Sequence, residues 1–95
     1  MREWQPGAVP RRNEDAVWRE VDDEVFVCSP EGDLMFTLRD VSADIWRAID
    51  GTNTVTEIRD LLLAAYEVDS ETVTRDLAEC LEYLASKRLI FGLDD

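Results

Sequence analysis

Residues 17–38 form short apolar runs broken by polar clusters, whereas residues 40–87 repeat their apolar positions every three or four residues. The first pattern is the period of strands and the second that of helices. Three strands are expected, over 17–21, 24–29 and 34–38. Asp22-Asp23 and Pro30-Glu31-Gly32-Asp33 provide turn residues between them. In the third run Leu34, Phe36 and Leu38 share one face, and Met35 and Thr37 the other. The middle run, EVFVCS, is apolar on both faces and reads as the central strand. Connections this short favour an antiparallel meander, which leaves the first and third strands as edges.

The helical period begins after Leu38. Asp40 is placed to cap a helix reaching about Asp50, with Val41, Ile45, Ala48 and Ile49 on its buried stripe, and Gly51 stands where a left-handed residue ends helices. Thr54-Val55-Thr56-Glu57 is a capping box, so a second helix starts there with the stripe Val55, Ile58, Leu61, Leu62, Ala65 and Tyr66. Asp69 or Ser70 caps a third helix to about Lys87, whose stripe is Val73, Leu77, Leu81 and Leu84. Lys87 and Arg88 then lie at its negative dipole end. Residues 89–93 are a closing apolar run expected to fold back onto the core.

Residues 1–15 follow neither period. Pro6, Gly7 and Pro10 interrupt regular structure, and residues 11–15 are all polar, so this stretch reads as a flexible arm. Trp4 and Val9 are the points through which part of it could dock on the body or on a second subunit. The expected organisation is thus an arm over 1–15 and one domain over 16–93, since 95 residues support a single modest core. The fold class is α+β, a three-stranded antiparallel sheet followed by three helices. Winged helix-turn-helix proteins are built from the same elements.

Charge narrows the function. The chain carries 22 acidic and 10 basic residues, net −12. Arg2, Arg11 and Arg12 against Glu3 leave +2 on residues 1–12, so the remainder holds −14. Such a surface repels phosphate backbones and anionic lipid headgroups. A winged fold would read DNA with the third helix, yet its outward positions include one cation, Arg75, among Glu71, Asp76, Glu79 and Glu82. That set forgoes the counterion release on which DNA affinity rests. No apolar run approaches the roughly 18 residues of a membrane span, and the N-terminal residues lack a signal-type apolar core. The expectation is a cytoplasmic protein, with Cys28 and Cys80 reduced and packed as small apolar groups.

No catalytic or cofactor site is expected. There is no histidine, which excludes Ser/His/Asp and Cys/His centres, and there is no CxxC pair for zinc. Gly7, Gly32, Gly51 and Gly92 stand too far apart to cradle a phosphate. Glu57, Asp60, Glu67, Glu71, Glu79 and Glu82 fall on polar helix faces and read as solvated.

Two features suggest binding. The run Leu34, Met35, Phe36, Thr37, Leu38 has no charge and no proline, and an edge of that kind is either covered, by a helix or the arm, or used to accept an added strand. Beside the core stripe of the third helix, one flank (Thr74, Ala78, Ala85) is small and suits close packing against a neighbouring helix. The other (Asp76, Cys80, Tyr83, Lys87) is larger and chemically mixed. The second flank fits a groove wall and an ordinary core boundary equally.

The order of residues resembles the PqqD family. The resemblance is carried by Leu38-Arg39-Asp40-Val41-Ser42-Ala43-Asp44-Ile45-Trp46, by Ile49-Asp50-Gly51 and by Thr54-Val55-Thr56-Glu57-Ile58. It continues through Leu61-Leu62, Tyr66-Glu67-Val68-Asp69, Val73, Asp76-Leu77, Leu81, Leu84 and Leu89-Ile90, and so covers about residues 17–90. It implies a peptide-recognition domain that captures the leader segment of a ribosomal precursor peptide and delivers it to a modifying enzyme such as a radical SAM protein, a cyclase or a protease. The leader would add a strand to the third β-strand, Leu34, Met35, Phe36, Thr37 and Leu38. The groove wall would be Val73, Asp76, Leu77, Cys80 and Leu84, with Tyr83 beside it. The family usually carries Asn where Arg39 stands and a larger apolar residue where Cys80 stands. The pathway implied is pyrroloquinoline quinone (PQQ) biosynthesis or a related modified-peptide pathway. The alternatives are a winged-helix transcriptional regulator and a protein-interaction subunit of a larger enzyme.

Overall fold

The computed structural model describes residues 4–92. In chain order its elements are β1 (Arg11–Arg12), β2 (Val17–Val21), β3 (Glu24–Cys28), β4 (Met35–Leu38), α1 (Val41–Ala48), α2 (Val55–Ala65), α3 (Ser70–Ser86) and β5 (Ile90–Phe91). The α+β class is as expected, with three helices and a three-stranded antiparallel sheet of order β2-β3-β4, on which α1 packs. A second, two-stranded sheet pairs β1 with β5.

Asp22 and Asp23, both at positive φ (52° and 69°), make the two-residue β2–β3 hairpin, the geometry that matches strand twist. The β3–β4 connection is built on Ser29, whose buried hydroxyl donates to Asp33 Oδ1 at 2.9 Å and accepts from Leu34 N at 3.1 Å. Residues directly opposite on neighbouring strands share a face. Trp18, Val27 and Phe36 therefore point inward with Val25 and Leu38, while Cys28 and Met35 point outward beside Val17. Val25 and Val27 are fully buried, which makes β3 the central strand as expected.

All three helices form, with local differences. The α1 helix stops at Ala48 rather than near Asp50. Asp40 sits at its N-cap with φ 52° and makes no capping bond; instead Ser42 Oγ accepts from Arg39 N and donates to Arg39 O. Gly51 (φ 84°) does not end the helix but lies in the following turn, where Asp50 Oδ1 accepts from Thr52 N and Asn53 N at 2.9 and 3.0 Å. Those bonds hold the Asp50 carboxyl down at about 2. The α2 capping box forms in both directions, with Glu57 N to Thr54 Oγ1 at 3.1 Å and Thr54 N to Glu57 Oε1 at 2.8 Å. Asp69 caps α3 through Thr72 N. Its stripe of Val73, Leu77, Leu81 and Leu84 is buried in full.

Two stripe assignments are corrected. Leu61 and Ala65 are exposed because α2 buries only the narrow seam of Ile58 and Leu62 between α1 and α3. Trp46, outside the expected α1 stripe, is completely buried beneath Trp18, their rings meeting edge to face at 5.9 Å.

The stretch read as a flexible arm is docked over its described part. Val55 N donates to Ala8 O and Thr56 N to Pro6 O. Arg12 donates to the carbonyls of Trp46 and Arg47, with its guanidinium 4.5 Å from the centroid of the Trp18 ring. Asn13, nearly buried, donates through its side chain to Arg88 O and through its backbone to Leu89 O. The described residues of this stretch thus lie against the body rather than loose. Residues 1–3 of the arm, and Leu93 at the end of the closing run and of the expected domain, lie outside the described residues.

Candidate peptide-binding site

The edge strand comes first. With β3 on one side, β4 has no strand on the other among the described residues. Leu34 O accepts from Ser29 N at 2.8 Å, which sets the phase of the antiparallel ladder. Phe36 and Leu38 then exchange hydrogen bonds with β3, and Met35 and Thr37 turn their N–H and C=O groups to the open side. No side chain of β4 carries a charge to discourage pairing there.

The helix whose side chains meet those of β4 is α3, and the two backbones keep apart: no Cα of β4 comes within 8 Å of one in α3. The interval is bridged by side chains. Phe36 and Tyr83 meet edge to face, their centroids 6.2 Å apart, and the Lys87 ammonium lies 5.6 Å from the Tyr83 ring. Cys80 lines the same flank, and burial pushes its thiol up to about 11. Farther along, Val73 and Asp76 of α3 line a small apolar cavity of about 60 Å³ with Val41, Leu62, Tyr66 and Val68. The Tyr66 hydroxyl donates to Asp44 Oδ2, a bond that raises its pKa above the ordinary phenol value.

The residues singled out in the sequence therefore divide. Met35 and Thr37 present backbone to the open side and are exposed; Phe36, Cys80, Tyr83 and Asp76 flank the groove. Leu38, Leu77 and Leu84 are buried and hold the walls in place, while Val73, also buried, reaches the cavity shared with Val41 and Tyr66. Leu34 lies just before β4 rather than in it. It is 53% exposed, and its N–H and C=O are both engaged by the Ser29 turn. The small flank of α3 takes the arm, not a helix: Thr74 and Ala78 line a cleft with Trp4 and Pro6. Val41, Leu62, Tyr66 and Val68 were not assigned to the site from the sequence. Three of them read there as core stripe; Val68, an apolar residue between Glu67 and Asp69, was the available signal.

Residues 24–90 match the family model described as coenzyme PQQ synthesis protein D (PqqD), which is more than half of the chain. The chain belongs to the PqqD family. Among solved structures, "TbiB1 in Complex with the TbiA(beta) Leader Peptide" is 34% identical with a TM-score of 0.82, covering 90% of this chain and 99% of that one. The PqqD truncation of Methylobacterium extorquens PqqCD, described as a functional and stand-alone recognition element for ribosomally synthesized and post-translationally modified peptides (RiPPs), is 27% identical. Its TM-score is 0.74, over 93% of this chain and 94% of that one. "Lasso peptide synthetase B1 complexed with the leader peptide" is 17% identical (TM-score 0.79, over 88% and 99%) and attests the PqqD-like fold alone. A comparison with curated proteins finds no match.

Proposed function

We propose that this PqqD-family chain is a peptide chaperone, which binds the leader segment of a ribosomal precursor peptide by strand addition to β4 and presents it to a modifying enzyme. The observation that carries this reading is the uncharged edge of β4, which has no second strand partner among the described residues and whose Phe36 meets Tyr83 of α3. Met35 and Thr37 supply main-chain partners for affinity, and the flanking side chains supply choice. The 34% identical TbiB1, solved with a leader peptide bound, supports it.

The pathway is PQQ biosynthesis or a related RiPP pathway, and the partner enzyme is of the radical SAM, cyclase or protease kind. The chain acts without chemistry of its own and without a cofactor, in the cytoplasm. No helix among the described residues is long and apolar enough to cross a membrane. The winged-helix reading draws no support from α3, whose exposed face carries Glu71, Asp76, Glu79 and Glu82.

The test is calorimetric titration with the precursor peptide encoded beside the gene. Binding in the micromolar range or tighter is expected, and Phe36→Asp should abolish it. Leu84→Asp would unfold the core, since Leu84 is fully buried, so it does not isolate the site. Unchanged affinity in a folded Phe36→Asp variant would place the peptide elsewhere.

A further inference from the structure

The cavity at the α1 end of the groove has an unusual lining for a peptide subsite. Val41, Leu62, Tyr66, Val68 and Val73 give it apolar and aromatic walls, and a single charged side chain, that of Asp76, contributes to it. Asp76 is half exposed and so stands at the mouth, its loose surface pair with Arg75 being 3.6 Å long. Asp44, bonded to the Tyr66 hydroxyl, and Asp40, whose charge also acts on Tyr66, add to the negative field there. Arg47, the cation facing this region from α1, is held by Glu20 and Asp44, both at 2.7 Å.

We infer that this cavity takes a lysine or arginine side chain of the captured peptide. The aliphatic stem would lie against Val41, Val68 and Val73, the charged head beside Asp76, and the ring of Tyr66 alongside. Long basic side chains are the ones that join an apolar stem to a cationic tip, and an aromatic face adds attraction for the cation. A neutral apolar side chain would fill the walls and leave the carboxylate unanswered; an acidic one would meet Asp76, Asp44 and Asp40. The net charge of −12 acts in the same direction at long range. Val41 follows Leu38 by three residues, so a strand paired to β4 passes the cavity at its Leu38 end. The inference rests on the strand-addition reading and specifies the peptide that site selects.

Selection from a phage-displayed library of random twelve-residue peptides, against the full chain and against Asp76→Asn, tests it. Glu79→Gln, the same charge change one turn away on α3, serves as control. Lysine or arginine should be enriched at one position with the full chain and with Glu79→Gln, and not with Asp76→Asn. In fluorescence anisotropy, changing that residue to norleucine in the selected peptide should weaken binding about three- to tenfold, an effect expected to vanish in Asp76→Asn. A glutamate at that position should be rescued by Asp76→Lys. Peptides that bind at β4 with no basic preference, or with the same preference in Asp76→Asn, overturn the inference and leave strand addition standing. Failure to select any peptide that Phe36→Asp releases overturns both.

Discussion

Asp22 and Asp23 occupy a turn that demands positive φ at both positions, and aspartate meets that demand at a cost of roughly 1 kcal/mol per residue in the left-handed region. Replacing the pair by Asn-Gly should stabilise the domain by about 1 kcal/mol, raising Tm by about 4–8 °C for a chain of this size. An unchanged melting temperature by calorimetry would show that φ is not what limits the hairpin. Gly92 is constrained from the other direction. Its φ is 118°, and a Cβ there would stand 2.7 Å from Val9 O, so Gly92→Ala should lower Tm by disturbing the arm. Cys80 yields a prediction in pH. With its thiol pushed up to about 11, only on the order of one molecule in a thousand is thiolate at pH 8. Alkylation by iodoacetamide, followed by mass spectrometry, should therefore be slow at pH 8 and rise steeply toward pH 11. A peptide seated against α3 should slow it further.

Among the elements, β4 and α2 make opposite points about what a short segment can specify. The α2 capping box is local, spanning Thr54 to Glu57, and was legible without any knowledge of the fold. Thr54→Ala should cost about 1 kcal/mol in urea unfolding, with no effect on peptide binding. The role of β4 depends on what is absent beside it. Thr37→Pro removes an N–H that points to the open side and leaves the ladder with β3 intact, a position where an edge strand tolerates proline. It should abolish peptide binding while the circular dichroism melt stays close to that of the parent, and retention of binding would argue against strand addition. The same two elements mark the limits of pattern. The period placed Leu61 on the α2 stripe three residues after Ile58, but of that stripe only Ile58 and Leu62 are buried in the packed structure. Leu34 continued the alternation of β4, yet the turn bonds of Ser29 claimed its backbone first.

At the scale of the whole molecule, the arm closes the structure. β1 pairs with β5 across almost the whole chain, Arg12 reaches the carbonyls at the end of α1, and Pro10 is fully buried. Deleting residues 1–10 should destabilise the domain by on the order of 2–4 kcal/mol, since it removes buried apolar surface and the bonds of Ala8 and Pro6 to α2. A deletion variant with an unchanged urea midpoint would mean that the docked arm contributes nothing. The acidity also acts at this scale: capture of a basic peptide should slow with added salt, as stopped-flow association rates would show.

By itself the amino-acid sequence determined the parts. Strand and helix periods, the Thr54–Glu57 box, the Asp69 cap, the buried α3 stripe and the uncharged run at 35–38 all depend on residues within a turn or two of one another. The same locality let the family's residue order be recognised. Only the tertiary structure decided how those parts face each other. It buried Trp46 under Trp18, drew the arm onto α1 and β5, kept the Cα atoms of α3 more than 8 Å from those of β4 and joined Val41, Tyr66, Val68 and Asp76 around one cavity. These relations link residues far apart in the chain, and no local period encodes the distance between two elements. Packing sets it, and that distance leaves the edge of β4 open.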